Sequence, residues 1–292
     1  MTANEVFRPR RLGEAGLEVS ALGVGTNRWG APGVPEPELA ETMGASLDAR
    51  VSFFDTAEVY TAGRSEQLLG RCSREDGRPM VLASKFAPYP TRLVGAQLDR
   101  ALKATLKRMG RDFIDLYYLH FPYSLVRIES WMNRMAEAVA ASEVRAVGVS
   151  NCNVSQMRRA HDALRRHGIA LAANQVHYSL LHRKPEQNGV LAACRELHVA
   201  LVAYRPLQSG QLLTGSGRND KETVTFALLA RIAEERGASA SQVALNWLLC
   251  RDELVIPIPG ATKASHATEN AGALNWRLDE EEFAMLDQVS RG

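Results

Sequence analysis

FDTAEVYTAGRSEQLLG, residues 54–70, sets the reading of the whole chain. An apolar run, Val51 to Phe54, stops at a carboxylate, Asp55, and the phenol of Tyr60 follows in a short loop. Beyond the loop a helical pattern opens near Ser65 and Glu66. The same punctuation returns along the chain: VLASK ends at Lys85 and IDLYYLH at His120, each closing its own aliphatic or β-branched run. In α/β barrels catalytic side chains gather at such strand ends. Asp55, Tyr60, Lys85 and His120 are therefore expected at one site on one face.

Outward from this unit, strands are predicted near 21–25, 51–54, 79–84, 114–119, 144–149, 172–176, 199–204 and 254–258. Helical patterns fall between them, at 36–49, 91–109, 126–141, 224–236 and 239–250, with closing helices at 262–273 and 279–289. Short apolar runs alternating with helices imply parallel βαβ units. Eight of them in 292 residues favour a (β/α)8 TIM barrel over an open doubly wound sheet, forming one domain over 1–292. Residues 8–20 read as an N-terminal β-hairpin, and the last helices as C-terminal additions. Arg205 to Lys221, RPLQSGQLLTGSGRNDK, is the kind of long loop that often serves as a lid.

Lys and Arg number 35 against 33 Asp and Glu, a net +2, and nothing in that balance calls for nucleic acid as a partner, for which a basic stripe would be needed. The densest basic run, Arg8, Arg10 and Arg11, reads as a solvated strand. Cys72, Cys152, Cys194 and Cys250 stand far apart, with neither CxxC nor zinc-like spacing, and suit reduced thiols of a cytosol. The first residues, MTANEVFRPRRLG, show no apolar signal segment. No apolar run approaches the roughly 20 residues that span a bilayer. The expectation is a soluble cytoplasmic protein without membrane or nucleic-acid partners; the sequence sets no oligomeric state. HExxH, Asp-rich loops and paired ligands at helical spacing are missing, so no metal is expected. GVGTNR at 23–28 begins like GxGxxG, but Arg28 replaces the third glycine and no helix opens behind it. It reads as a strand end where backbones pack closely.

Singly, Asp55, Tyr60 and Lys85 are a turn residue, a loop aromatic and a surface charge. Together they fit one task. A phenol with its ordinary pKa of about 10 is a weak acid at neutral pH. A nearby ammonium stabilises the phenolate and lowers that value, and a carboxylate holds the ammonium. An imidazole beside the phenol can orient a polar substrate or share its proton. Such a tyrosine can protonate an oxygen on which negative charge develops. His120 is singled out because it ends a hydrophobic run; His161, His167, His182 and His198 read as surface, and His177, at a strand end, is left open. GVSN at 148–151 and ANQ at 173–175 end strands with hydroxyl and amide groups. These could bind a carboxamide through donor and acceptor together, or form simple turns. Tyr204, ending VALVAY, could stack on a planar ring.

At these residues the chain resembles the aldo-keto reductase superfamily. FDTAEVYTAGRSEQLLG, ASKF, DLYYLHFP, VRAVGVSN, NQVHYSLLHR, VAYRPLQSGQLL and IPIPGATKASHATENAGAL all look like that family's segments, in its order, over about 10–288. The flavour is nearer the bacterial, plant pyridoxal-reductase-like and potassium-channel-β-like branches than the mammalian aldose reductases. The resemblance implies a barrel that binds NADPH without a Rossmann domain. It also implies a tetrad with Tyr60 as general acid, Lys85 and Asp55 tuning it, and His120 orienting the carbonyl. Ser150, Asn151 and Gln175 would hold the carboxamide, with Tyr204 stacked on the nicotinamide. Gly25, Thr26, Arg205, Leu207 and Ser209 would line the path of the dinucleotide. Lys263, His266, Glu269 and Asn270 would meet its adenosine end.

Two positions depart from the pattern. Relatives commonly carry serine after the stacking tyrosine, where this chain has Arg205, suited to a phosphate contact or turned outward. Many carry arginine or glutamine at His266. Lys263 and Arg205 remain to supply phosphate charge, so NADPH is expected, with NADH the alternative. Trp29, Phe86, Tyr89, Phe121 and Tyr123 are expected to line a pocket for a flat or apolar carbonyl compound, ordinary packing being the other reading of each. The function implied is reversible, NADPH-dependent reduction of an aldehyde or ketone. The alternative is a nucleotide-sensing regulatory subunit with little turnover. The intact tetrad disfavours it, and the few residues ahead of Arg8 leave no room for a separate module. A phosphate-binding isomerase or metal-dependent hydrolase would leave the amide and aromatic strand ends without purpose.

Overall fold

The computed structural model describes residues 6–208 and 219–291. It opens with the hairpin: Arg10–Arg11 (β1) pairs antiparallel with Glu18–Val19 (β2). Then β-strands and helices alternate: Gly23–Gly25 (β3), Glu36–Asp48 (α1), Phe53–Asp55 (β4), Arg64–Asp76 (α2), Val81–Phe86 (β5), Ala96–Met109 (α3), Ile114–Leu119 (β6) and Ile128–Ala140 (α4). Val144–Ser150 (β7), Val154–Arg165 (α5), Leu171–His177 (β8), the short Lys184–Gln187 (α6) and Val190–Glu196 (α7), and Ala200–Tyr204 (β9) follow. Asp220–Arg236 (α8), Ala240–Arg251 (α9), Val255–Ile258 (β10), Ala264–Ala271 (α10) and Glu280–Ser290 (α11) complete the chain.

β3 to β10 form an eight-stranded parallel sheet in chain order. It closes at the glycines: Gly25 bridges Gly260, and its N–H donates to the Pro259 carbonyl at 2.9 Å. A Cβ on Gly23 would stand 2.7 Å from the Phe53 ring and 2.8 Å from Ile258, so the GVG run is the seam of the (β/α)8 barrel. Buried apolar residues form two layers. Phe53, Leu116, Tyr118, Val202 and Ile256 fill the interior with Leu12 and Val19 of the hairpin; a larger layer lies between sheet and helices.

The hairpin corrects one expectation. Arg10 is buried, not solvated. Its guanidinium donates to the carbonyls of Leu249 at 2.7 Å, Asp252 at 3.0 Å and Val255. These carbonyls end α9 and begin β10, so the cation answers the orphan acceptors of a helix C-terminus and plugs the barrel floor. Burial pulls the guanidinium down to about 10.

Helix starts follow side-chain chemistry. Asn153, Ser239 and Asp279 make reciprocal capping boxes with Gln156, Gln242 and Glu282. α3 begins at Ala96, later than the pattern from 91, because Gln97 Oε1 takes the N–H groups of Leu93 and Val94 at 2.6 and 3.1 Å and holds that stretch as a turn. No helix among the described residues is long and apolar enough to cross a membrane.

Candidate active site

Asp55 ends β4, Lys85 is the penultimate residue of β5, and His120 follows β6 directly. Register sets these neighbours side by side: β4 pairs with β5, and β5 with β6. Tyr60 begins a tight turn in which Thr61 and Ala62 adopt left-handed φ of 47° and 53°, strain of the kind stored at functional sites. Thr61 holds it: its hydroxyl donates to the Trp29 carbonyl at 2.8 Å and accepts the Ser65 N–H at 3.0 Å, at the start of α2. Lys85 Nζ, fully buried, donates to Asp55 Oδ1, to the Thr56 carbonyl at 2.6 Å and to Tyr60 Oη at 3.5 Å. The His120 ring meets Tyr60 edge-on at 5.8 Å and stacks on Phe121 at 4.1 Å.

Burial dominates the electrostatics. It works against the Lys85 charge, yet Asp55 and Tyr60 outweigh it and the ammonium is held above its ordinary range. Burial pushes the Asp55 carboxyl up, while Lys85 and then Gln175 pull it down. Burial also pushes Tyr60 up, and Lys85 only partly offsets it. The net direction is opposite to that expected from the ammonium alone, so the resting phenol is firmly protonated. Burial, then Lys85, push His120 down to about 3, leaving a neutral imidazole whose Nδ1 has no partner in the protein.

A cleft of about 1020 Å³ runs from Asp55, Tyr60 and His120 across the strand ends. Ser150, Asn151, Gln175 and Tyr204 form its next wall. Asn151, left-handed at φ 60°, donates to Ser150 Oγ at 3.0 Å and to the His120 carbonyl at 3.3 Å, and accepts the Tyr204 hydroxyl at 2.9 Å. Gln175 Nε2 donates to Asp55 Oδ2 at 2.8 Å, so this amide also braces the tetrad. Behind Tyr204 the ring of His177 lies parallel at 5.4 Å, and His182 stacks on His177 at 3.9 Å. His182 is thus half-buried in a ring column rather than on the open surface. Burial lowers His177 to about 4 and His182 below its usual range. His167 and His198 are exposed, and His161 is half-buried beside Asp162.

The far end of the cleft is walled by Thr262, His266, Glu269 and Asn270, and its flank by Gly25, Thr26, Arg205 and Leu207. Thr26 spends its hydroxyl proton on the Asp55 carbonyl at 2.9 Å, bracing that strand end. Arg205 is left-handed at φ 51° and exposed. Lys263 is exposed at the start of α10 and is not part of the cleft wall. Ser209 and much of the loop read as a lid lie outside the described residues. Sequence reasoning missed Ser241: its buried hydroxyl faces the far end with no partner in the protein. As one small residue in the first turn of α9, it carried no signal.

The aromatic candidates divide. Phe121 lines the cleft; Tyr89 and Tyr123 are exposed on the loops beyond β5 and β6. Trp29 and Phe86 are completely buried and do not line it. Trp29 turns inward because its Nε1–H reaches the Ala261 carbonyl at 2.8 Å, tying together the loops after β3 and β10. Phe86 packs against Trp131 at 5.0 Å, behind the site. Among the described residues no group of three His, Cys, Asp or Glu could hold a metal ion.

Comparison with known proteins places this geometry. Residues 21–291 match the model of the aldo/keto reductase family. The chloroplastic pyridoxal reductase of Arabidopsis thaliana is 32% identical over 94% of this chain and 84% of its own length. A thermostable aldo-keto reductase solved with the inhibitor epalrestat superposes with a TM-score of 0.83 at 33% identity, over 97% of this chain and 99% of that one. An aldo-keto reductase from Klebsiella pneumoniae solved with NADPH gives 0.83 at 29% identity, over 96% and 94% of the two chains. The chain belongs to the aldo/keto reductase family.

Proposed function

We propose that this protein reduces an aldehyde or ketone to the alcohol with NADPH, reversibly, and that Tyr60 delivers the proton. The observation that carries the reading is the meeting of Tyr60 Oη with Lys85 Nζ at 3.5 Å, beside the neutral His120 ring, at one end of a long cleft. The residues present fit a reduced dinucleotide. An amide and hydroxyl cluster (Ser150, Asn151, Gln175) suits a carboxamide, Tyr204 offers a ring face, and the unpartnered Ser241 hydroxyl waits at the other end. The Klebsiella relatives solved with NADPH and with NADP and acetate support the same cofactor.

When bound, the cofactor supplies the hydride that goes to the carbonyl carbon. The protein's part concerns the oxygen. Tyr60, protonated at rest, donates its proton there as negative charge develops, and the phenolate left behind meets the Lys85 ammonium, itself fixed by Asp55 and Gln175. The neutral His120 ring orients the carbonyl oxygen, and the buried hydrogen bonds of Lys85 to Asp55 and the Thr56 carbonyl, and of Gln175 to Asp55, keep these groups in place before the reaction starts. In the reverse direction the same phenolate accepts the alcohol proton.

The test is fluorescence titration with NADPH and NADH, followed by cofactor oxidation with an aldehyde panel that includes pyridoxal. NADPH binding with turnover, lost in Tyr60→Phe, supports the proposal. Undiminished turnover in Tyr60→Phe would refute the role given to the phenol. Tight NADPH binding with no aldehyde reduced would point to a regulatory subunit.

A further inference from the structure

Two histidines that do not line the cleft stand in a row behind a residue that does, Tyr204. Tyr204 ends β9, and the sheet register sets it beside His177, the last residue of β8. Its hydroxyl donates to Asn151 Oδ1 at 2.9 Å, and its carbonyl accepts the Tyr178 N–H at 3.4 Å. The His177 ring lies 16° from parallel to the phenol at 5.4 Å. One face of Tyr204 therefore backs onto imidazole, and the other is left for a planar guest.

The row is anchored at its far end. His182 stacks on His177 at 3.9 Å, 8° from parallel. The His182 N–H donates to the carbonyl and to the hydroxyl of Ser179, both at 3.1 Å, and the Ser179 N–H returns to the His182 carbonyl at 3.2 Å. One residue on, the buried Arg183 donates to Glu186 Oε1 at 2.9 Å, to the Asp287 carbonyl at 2.7 Å and to Ser290 Oγ at 3.0 Å. Asp287 and Ser290 belong to α11. A line of support thus runs from the last helix, through the Ser179–His182 turn and two imidazoles, to the phenol.

Both rings are neutral at pH 7. Burial, then His182 and Arg205, holds His177 down to about 4, and burial, then Lys184, holds His182 below its ordinary range. Two charged imidazoles would repel at this distance, whereas neutral rings gain from stacking. The ring of His177, rather than its nitrogens, makes the contact: Nε2 is buried with no hydrogen-bond partner. Nor is the pair a metal site. Parallel rings aim their nitrogens side by side instead of at one point, as a zinc ion requires, and among the described residues no third ligand joins them.

We propose that His177 and His182 are positioning residues for the dinucleotide, a stacked column that fixes the Tyr204 ring in the attitude the nicotinamide meets. The inference rests on the reductase reading of the cleft, in which Tyr204 is the ring platform. A side chain ordered before binding does not have to be ordered by it. Removing the column should weaken dinucleotide binding by about two- to twelvefold, the size of one ring-stacking contact.

The experiment titrates NADPH by fluorescence into the full-length wild type and into His177→Phe, His177→Leu, His182→Phe, His182→Leu, Tyr204→Leu and H177L/Y204L. Urea unfolding shows that each is folded. Both phenylalanine variants should bind within about twofold of the wild type. Each single histidine-to-leucine variant should lose about two- to twelvefold, and the loss at 177 should vanish once Tyr204 is gone, with H177L/Y204L binding like Tyr204→Leu. A histidine-to-leucine variant with wild-type affinity overturns the inference and leaves the reductase reading standing. A loss in His177→Phe equal to that in His177→Leu does the same, because the nitrogens would then be what matters. A loss at 177 that persists in full beside Tyr204→Leu shows that His177 acts by another route and also overturns it. Wild-type protein that binds no NADPH overturns both.

Discussion

Replacing Lys85 with methionine would keep a side chain of similar length and delete its charge. Three acceptors would lose their donor: Asp55 Oδ1, the Thr56 carbonyl and Tyr60 Oη. Asp55, only 2% exposed, would remain a buried carboxylate with Gln175 as its side-chain donor. Stranding one partner of a buried ion pair costs about 3–5 kcal/mol. In D55N/K85M both charges go together, and the double variant should return to within about 2 kcal/mol of the wild type. Activity should not return with it: without the ammonium, proton transfer from Tyr60 should be slower by about 10²–10⁴-fold. Urea unfolding of the wild type, both single variants and the double gives the stability cycle, and NADPH consumption with one aldehyde gives the rates. Single-variant costs that simply add in the double, with coupling under about 0.5 kcal/mol, would deny that the two charges act as a pair. Activity recovering with stability would remove Lys85 from the chemistry.

Tyr60→Phe should lower kcat/KM by about 10²–10⁴-fold while barely moving the NADPH dissociation constant, since on the proposed function the lost hydroxyl would face the carbonyl; a large loss of NADPH affinity would count against that placement. His120, pushed down to about 3 in the fold from an ordinary value near 6.5, binds fewer protons folded than unfolded between those values. Stability therefore rises with pH across that window, and acidifying from pH 7 to pH 5 should cost about 2 kcal/mol through this residue. Unfolding of H120N at both pH values should show a shallower dependence. Arg10→Met would strip the cation from three backbone carbonyls and should destabilise by about 3 kcal/mol. Activity per folded molecule should hold, because the plug lies at the opposite end of the barrel from the tetrad; a selective loss of turnover would show that the floor reaches the site.

The strand ends were legible because an ionisable residue after a hydrophobic run has one sensible place in a parallel barrel, and Asp55, Lys85 and His120 each stand there. The glycine seam was legible as close packing, since GVGTNR lacks what a phosphate loop needs. Other features depend on partners far away in sequence. Arg10 belongs to a basic cluster whose local pattern is that of an exposed strand, and only barrel closure brings the carbonyls of Leu249, Asp252 and Val255 around it. Trp29 and Phe86 follow or end strands just as a pocket wall would, but the Ala261 carbonyl and Trp131 draw them inward. Gln175 reads as a carboxamide ligand, yet its nearest need is Asp55, 120 positions earlier. For Tyr60 the sequence supplied the sign of the lysine's influence but not the desolvation that exceeds it.

A barrel stoppered at its base by Arg10 and the hairpin opens, among the described residues, through the cleft at the strand ends. On the proposed function, two guests must share it, and the dinucleotide lies along the cleft with its reactive ring innermost, beneath the place where a carbonyl would rest. The deeper guest has to enter first and leave last. The kinetic order of the enzyme would then be imposed by architecture: the alcohol departs while the spent dinucleotide still lies beneath it.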